Sequence, residues 1–254
     1  MKLIDKLKEY FNKEEEVEIV PEESMYEKII KEMEYYKEEI MPEVENLKGH
    51  THFLKTETED KILKWIEEDP DCLRDRTIAS TNIGMYAAEV GLDKVVLRCL
   101  DDDVASTQVD HDGMNIGMYA AQYGLEDCVI KALNNKVASL QQDVNGCNLG
   151  MYAAIYELKV ATLKALDNHE ASIQQNDLGN NIGIISAKYG MEKCVLKALE
   201  NIGARQQFNR VGETILSIAE ERGLTEVLEG FKEIKERENK MSDDEYYETY
   251  GFDD

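Results

Sequence analysis

The residues that could carry chemistry in this 254-residue sequence are four histidines (His50, His52, His111, His169) and five cysteines (Cys72, Cys99, Cys128, Cys147, Cys194). Histidine could serve as a general base or metal ligand, and cysteine as a nucleophile, zinc ligand or disulfide partner. His111 and His169 fall in predicted turns without a serine or cysteine nucleophile nearby, so no triad is suggested. The cysteines are odd in number and none forms a C-x-x-C pair, which argues against a zinc knuckle and against a disulfide framework. Cys128 and Cys194 lie on apolar helical stripes, where a free thiol behaves as a small hydrophobe. Asp110-His111-Asp112-Gly113 begins like a calcium loop, but its ligand series does not continue to a glutamate at the twelfth position. No glycine-rich phosphate cradle is present. The expectation is a protein without catalytic residues, metal or cofactor.

The elements that hold these residues follow from composition and repetition. Hydrophobic residues make up 43% and aromatics only 7%, so apolar content is carried by Ala, Leu, Ile, Val and Met, which favours helices. The formal charge is −24, from 53 acids and 29 bases, which excludes the concentrated positive field that nucleic-acid binding needs. Acidity is compatible with a basic partner or with solubility alone. The segment MKLIDKLKEYF lacks the apolar run of a signal peptide, and nowhere do about 18 apolar residues run together as a membrane span requires. The default location is a reducing cytoplasm, with signal-independent secretion left open.

Self-comparison gives the organising signal. Asn82-Ile83-Gly84-Met85-Tyr86-Ala87-Ala88 returns 33 residues later as Asn115 to Ala121, again as Asn148 to Ala154, and in weaker form as Asn181 to Ala187. Gly212-Glu213-Thr214-Ile215-Leu216-Ser217-Ile218-Ala219 is a fifth copy, held in phase by Gly91, Gly124, Gly190 and Gly223. Within a unit an Asn opens a short helix, a Gly closes it, and a second helix follows with a stripe such as Val129-Ile130-x-x-Leu133. Polar stretches such as Gln142-Asp143-Val144-Asn145-Gly146 read as turns between units. Two short helices cannot bury their own apolar faces, so the units must stack around one continuous core. The aligned Gly84, Gly117, Gly150 and Gly183 are expected where neighbouring backbones approach closely, with Met and Tyr refilling the volume.

Period, order of elements and local letters resemble the ankyrin repeat, whose unit is about 33 residues with T-P-L-H-x-A. The fifth copy is the nearest to that pattern; in the others Asn stands for Thr, Ile or Leu for Pro, and Met or Ile for His. The resemblance covers roughly residues 49 to 236. It implies an all-α solenoid of helix–turn–helix units with short turn or hairpin connections, and a partner docked on the concave side made of turn tips and first helices. Carried over by position, that side holds Tyr123, Tyr156, Tyr189 and Arg222 in one column with Val90, and Gln122, Ile155 and Lys188 beside it with Glu89 and Glu221. His111, Asp112, Met114, Val144, Asn145, Asp177 and Leu178 are implied at the tips. A second column, Tyr86, Tyr119 and Tyr152, is expected to be structural and to face the neighbouring repeat.

Three segments are expected. Residues 1–48 form a helical extension with stripes Leu3, Ile4, Leu7, Tyr10, Phe11 and Tyr26, Ile29, Ile30, Met33, Ile40, which either dock on the first repeat or bind a partner or membrane surface. Residues 49–236 are the repeat array, with a degenerate cap at 49–76 in which Trp65 is a core residue and which holds His50 and His52, followed by about five repeats. Residues 237–254 are an acidic tail with four aromatics, either an unstructured end or a docking peptide. The functional expectation is a non-catalytic protein-binding scaffold with a basic protein partner. A dedicated inhibitor that masks a basic toxin or nuclease is the alternative.

Overall fold

The first four units each start at an asparagine in extended backbone whose side-chain oxygen accepts the N–H three residues on. Asn82 takes that of Met85 at 3.0 Å, Asn115 that of Met118 at 3.1 Å, Asn148 that of Met151 at 2.9 Å and Asn181 that of Ile184 at 2.8 Å. The bond satisfies one of the donors that a helix start leaves unpaired. In the fifth unit Thr214 and Ser217 cap one another. Past each first helix the chain turns through a left-handed residue, Gly91, Gly124, Gly190 or Gly223, at φ between 66° and 77°. The third unit holds Glu157 in that conformation at φ 56°, where a side chain is sterically disfavoured.

The computed structural model describes residues 23–42 and 51–241, and in the second stretch side chains from Lys55 onward. The stripe at Leu3–Phe11, His50, the His52 side chain and the segment 242–254 lie outside the described residues. In chain order the helices are α1 (Met25–Tyr35, prolonged by a π-helical turn Tyr36–Ile40), α2 (Thr51–Glu68), α3 (Ile83–Glu89), α4 (Asp93–Cys99), α5 (Ile116–Gln122), α6 (Glu126–Ala132), α7 (Lys136–Leu140) and α8 (Leu149–Ile155). They continue as α9 (Lys159–Ala165), α10 (His169–Ile173), α11 (Ile182–Lys188), α12 (Glu192–Glu200), α13 (Ile202–Gln206), α14 (Ile215–Glu221) and α15 (Thr225–Glu238). The described residues form no β-strand beyond one isolated bridge, Gln142 to Asn148. First helices α3, α5, α8, α11 and α14 stack in one layer, and second helices α4, α6, α9, α12 and α15 in another. The architecture is the all-α solenoid that the repeat implies.

Between units the structure adds an element that was read as turn. Short helices α7, α10 and α13, and a 3-10 turn at Ala105–Thr107, stack as a third row. His169 is therefore the first residue of a helix. Asn135, Asn168 and Asn201 cap these helices, and Asp102 caps the 3-10 turn. Five residues are too few to show a helical period, so the capping asparagines were their only signal.

The aligned glycines serve a different contact from the one expected. A methyl group at Gly150 would lie 2.4 Å from Ile182 Cδ1 and 2.8 Å from the Ala165 Cβ; one at Gly84 would lie 2.5 Å from Ile116 Cδ1 and 2.8 Å from the Cys99 Cβ. Gly117 and Gly183 repeat the arrangement with Leu149 and Ile215. Each glycine is thus a socket for the Ile or Leu that opens the next unit, and a seat for the second helix of its own. Side chains, not a neighbouring backbone, fill the space. The cost of about 1 kcal/mol for a helical glycine is offset by this fit.

The buried apolar side chains fall into an N-terminal and a C-terminal group joined through shared contacts. The groups interleave in the third unit, where Tyr152 packs against both, as does Leu133 of the second unit. There the valine of the second-helix seam (Val96, Val129, Val195) is replaced by Thr162, whose hydroxyl donates to the Leu158 carbonyl. At the N-terminal end Tyr26, Ile29 and Met33 bury α1 against α2 and α3, so the second predicted stripe docks on the first repeat. Trp65 is half-buried, packed on the core beneath the ammonium groups of Lys28 and Lys61 at 4.1 Å and 5.1 Å. All five cysteines are buried and unpaired. Burial pushes the thiols of Cys72 and Cys128 up to about 12 and that of Cys194 to about 11, which leaves them protonated and unreactive near neutrality.

A polar ladder joins the units. The amide nitrogen of each capping asparagine also donates to a glutamine oxygen of its own unit: Asn82 to Gln108, Asn115 to Gln141, Asn148 to Gln174 and Asn181 to Gln207, at 2.7 to 2.9 Å. Each glutamine nitrogen then donates to a backbone carbonyl of the preceding unit, on Arg74, Thr107, Leu140 and Ile173 respectively.

The Ser186 hydroxyl breaks this pattern of satisfaction. Ser186 occupies the position filled by Ala87, Ala120, Ala153 and Ala219 in the other units, and its fully buried hydroxyl has no hydrogen-bond partner among the described residues. An unsatisfied buried hydroxyl costs about 1–3 kcal/mol. Ser186→Ala is expected to raise the urea midpoint, by a stability gain of about 1 kcal/mol. A midpoint at or below wild type would mean that the hydroxyl is satisfied.

Candidate functional site

The turn tips are built from a side-chain oxygen that substitutes for a missing backbone partner. Asp110 Oδ1 accepts the N–H of Asp112 at 2.9 Å and that of Met114 at 2.8 Å. Asp143, Asn176 and Asn209 do the same in the next three tips. This local bond is the reason Asp and Asn occupy these turns. In each a glycine (Gly113, Gly146, Gly179, Gly212) supplies the positive φ that completes the turn. Tips are then tied to one another: Val144 N donates to Asp112 O at 2.8 Å, Asp177 N to Asn145 O at 2.9 Å and Arg210 N to Leu178 O at 2.9 Å. The result is a ridge held by backbone hydrogen bonds.

The ridge is anchored to the first helices by the second tyrosine column. Tyr119 donates its hydroxyl to Asp110 Oδ2 at 2.7 Å, and Tyr152 donates to Asp143 Oδ2 at 2.8 Å. Burial and then the adjoining carboxylate push both phenols well above the usual tyrosine value, so they remain donors. In these two members of the column the hydroxyls bind the tip of their own unit. Both oxygens of Asp110 are therefore engaged in the turn, which accounts for the calcium-like spelling there. Among the described residues no cluster of three or more His, Cys, Asp and Glu side chains is placed to hold a metal ion, and no helix is long and apolar enough to cross a membrane.

The residues implied for the binding face are distributed as follows. Tyr123, Tyr156 and Tyr189 are the C-caps of α5, α8 and α11 and are 41%, 40% and 44% exposed; Arg222 holds the same place after α14 and is exposed. Val90, the corresponding residue of the first unit, is instead buried; α1 packs on that helix, and Lys37 beyond α1 pairs with Glu89 at 2.6 Å. Gln122 is exposed, Ile155 half-buried, and Lys188 half-buried in a 3.0 Å ion pair with Glu213. His111, Asp112, Val144, Asn145, Asp177 and Leu178 are exposed on the ridge, with His111 Nε2 2.9 Å from the Ile78 carbonyl. Met114 closes its turn and is half-buried against the core. The ridge also exposes Ile78, Phe208 and Val211, which sequence reading missed. Ile78 and Val211 lie on the same 33-residue grid as the residues named, so the grid could have found them.

Five of the implied residues converge. Asn145, Ile155, Tyr156, Asp177 and Leu178 line one pocket of about 460 Å³, floored by Cys147 and Tyr152, between the third and fourth tips and α8. The Tyr152 and Tyr156 rings stack there with centroids 6.3 Å apart and planes 19° apart. Charged side chains on the pocket are Asp143 and Asp177 only.

No family model and no curated protein sequence matches the chain. Solved structures do. A crystal structure of an ankyrin repeat domain from Acinetobacter baumannii AYE is similar over 71% of this chain and 94% of that one, with a TM-score of 0.60 at 14% identity. A chain in the complex of a predatory endopeptidase from Bdellovibrio bacteriovorus with an immunity protein is similar over 68% of this chain and 91% of that one, with a TM-score of 0.53 at 19% identity. Stacked helix pairs, tied tips and these likenesses together make the fold an ankyrin-repeat fold.

Proposed function

We propose that this chain is a non-catalytic protein-binding scaffold that engages a basic partner through the ridge of tips and the first-helix ends. The observation that carries the reading is the exposed row Tyr123, Tyr156 and Tyr189, set at one-repeat spacing beside a ridge with its backbone already hydrogen-bonded. Rigid amphipathic rings on a preordered surface lose little entropy on binding and are over-represented among binding hot spots. The charge of −24 supports a basic partner by steering its approach. Five unpaired buried thiols suit a reducing compartment such as the cytoplasm.

A second reading, a dedicated inhibitor that masks a basic toxin or nuclease, is favoured by the structural likeness to a chain of an endopeptidase complex with an immunity protein. Both readings use one surface. A tight one-to-one complex that abolishes an enzyme's activity would select the inhibitor; several weak partners would select the scaffold.

The test is the Tyr123→Ala, Tyr156→Ala, Tyr189→Ala triple variant, with a partner captured from the native cell and kinetics and unfolding measured on one sample. Dissociation is expected to accelerate by about thirtyfold or more, equivalent to about 2 kcal/mol. Stability should change little, since exposed positions away from special features move it by about 0.5 kcal/mol or less each. Unchanged dissociation from a folded triple variant would place the partner elsewhere.

A further inference from the structure

We propose that the pocket between the third and fourth tips receives an arginine side chain of the partner, held between the stacked tyrosines and the Asp177 carboxylate. This deepens the binding-face reading above and rests on it. The pocket has a size suited to one inserted side chain or small ligand, within the range of about 300–1,000 Å³ typical of binding pockets.

Its walls specify the occupant. Tyr156 is exposed over the recess and stacks on Tyr152, presenting an aromatic face against which a planar guanidinium can lie. The Tyr152 hydroxyl is committed to Asp143, and Asp143 in turn accepts the N–H groups of Asn145 and Cys147, so this part of the wall is fixed. Asp177 is exposed on the opposite tip, fixed by its backbone bond to Asn145. Its carboxylate is available for the paired hydrogen bonds that a guanidinium makes. No lysine or arginine lines the pocket.

The equivalent positions in adjoining units show why the chemistry belongs here. One unit earlier Met114 stands where Cys147 floors the recess, a longer side chain that packs against the core. One unit later Ile185 replaces Tyr152, Lys188 replaces Ile155 and Arg210 replaces Asp177. That set would repel a cation, whereas the third-unit set attracts one.

The test needs no known partner. Methyl resonances of Ile155 and Leu178 in the full-length protein are followed during titration with acetyl-arginine N-methylamide, and in parallel with the citrulline compound, a neutral isostere. Saturable shifts at both methyls are expected with arginine and none with citrulline. Tyr156→Ala and, separately, Asp177→Asn should each weaken the arginine titration at least about fivefold, as loss of a partly desolvated cation–π or ion-pair contact predicts. Asp177→Asn keeps the backbone bond and volume, so it reports on charge even if Tyr156→Ala perturbs the helix end. Equal shifts with citrulline, an unaltered titration in both variants, or no shift at the highest soluble concentration would each overturn the proposal. If arginine fails here while the triple tyrosine variant still loses its partner, the binding face stands and only the cation pocket falls. If arginine binds while that variant keeps its partner, the pocket takes a cation but not the partner's arginine, and both the binding-face reading and the proposal fall.

Discussion

Ala153→Asp is expected to remove most of the stability of the central units. The Ala153 side chain is fully buried in α8, with α5 and α11 stacked on either side, so a carboxylate there would have no solvated route out. The same position one unit later holds Ser186, whose hydroxyl finds no hydrogen-bond partner among the described residues. An uncompensated buried charge costs about 3–5 kcal/mol, against a total of about 5–15 kcal/mol for a folded domain. Because repeat arrays can lose units separately, urea unfolding should be paired with hydrogen exchange. The expected result is a lower midpoint with protection lost first in α8 and α9. A midpoint close to wild type would show that the two layers do not close over this position.

The second large effect is expected at the C-terminal end, where a buried ion pair supplements the apolar packing of α15 on the fourth unit. Arg205 and Glu238 lie 2.8 Å apart, each side chain 6% exposed. Arg205 also donates to the Leu199 carbonyl at 3.1 Å and lies 5.9 Å from the Phe231 ring, while Lys235 pairs with Glu238 at 3.0 Å. Removing one partner strands the other, which typically costs about 3–5 kcal/mol, whereas an apolar pair of similar volume can be neutral or better. Glu238→Leu alone should therefore destabilise by about that amount, and adding Arg205→Met should restore much of it. Urea unfolding of both variants is the measurement; an additive loss in the double variant would deny the coupling.

The same pair has a pH dependence of definite sign. Burial alone would raise the Glu238 carboxyl, but hydrogen bonds from Arg205 and Lys235 outweigh it and hold the carboxyl below its usual value. A carboxyl with a depressed folded value contributes stability above the unfolded value of about 4.3, and that contribution disappears as pH falls through the folded value. Unfolding curves taken from neutral pH into the acid range should therefore converge for wild type and Glu238→Gln as the carboxyl protonates.

Much of the fold could be read from the letters because repetition exposes it. The Asn at the head of the first four units and the Gly after four of the five first helices act locally, through a cap and a left-handed turn, and local chemistry is visible in sequence. What stayed hidden depends on partners about 30 residues away. Gly150 reads as a close backbone approach until Ile182 is seen filling it, and Gln141 reads as a loop residue until its two bonds are traced to Asn115 and Thr107. The binding face divides in the same way. The tyrosine column follows from position alone, while the burial of Val90 and Met114 and the pocket at Tyr156 depend on how α1 docks and on which side chain floors each recess.

The Asn–Gln ladder restricts how such a chain can change length. Each of the first four units leaves one glutamine nitrogen to be met by a carbonyl of the segment before it. Inserting or deleting a whole period leaves this accounting intact, because each new boundary presents the same carbonyl to the same amide. A gain or loss of any other length inside the ladder would strand an asparagine or glutamine amide in the interior and shift the Ile–Gly sockets out of phase. A change of one whole 33-residue unit would therefore keep the ladder and the sockets in phase and move the tyrosine row by one rung.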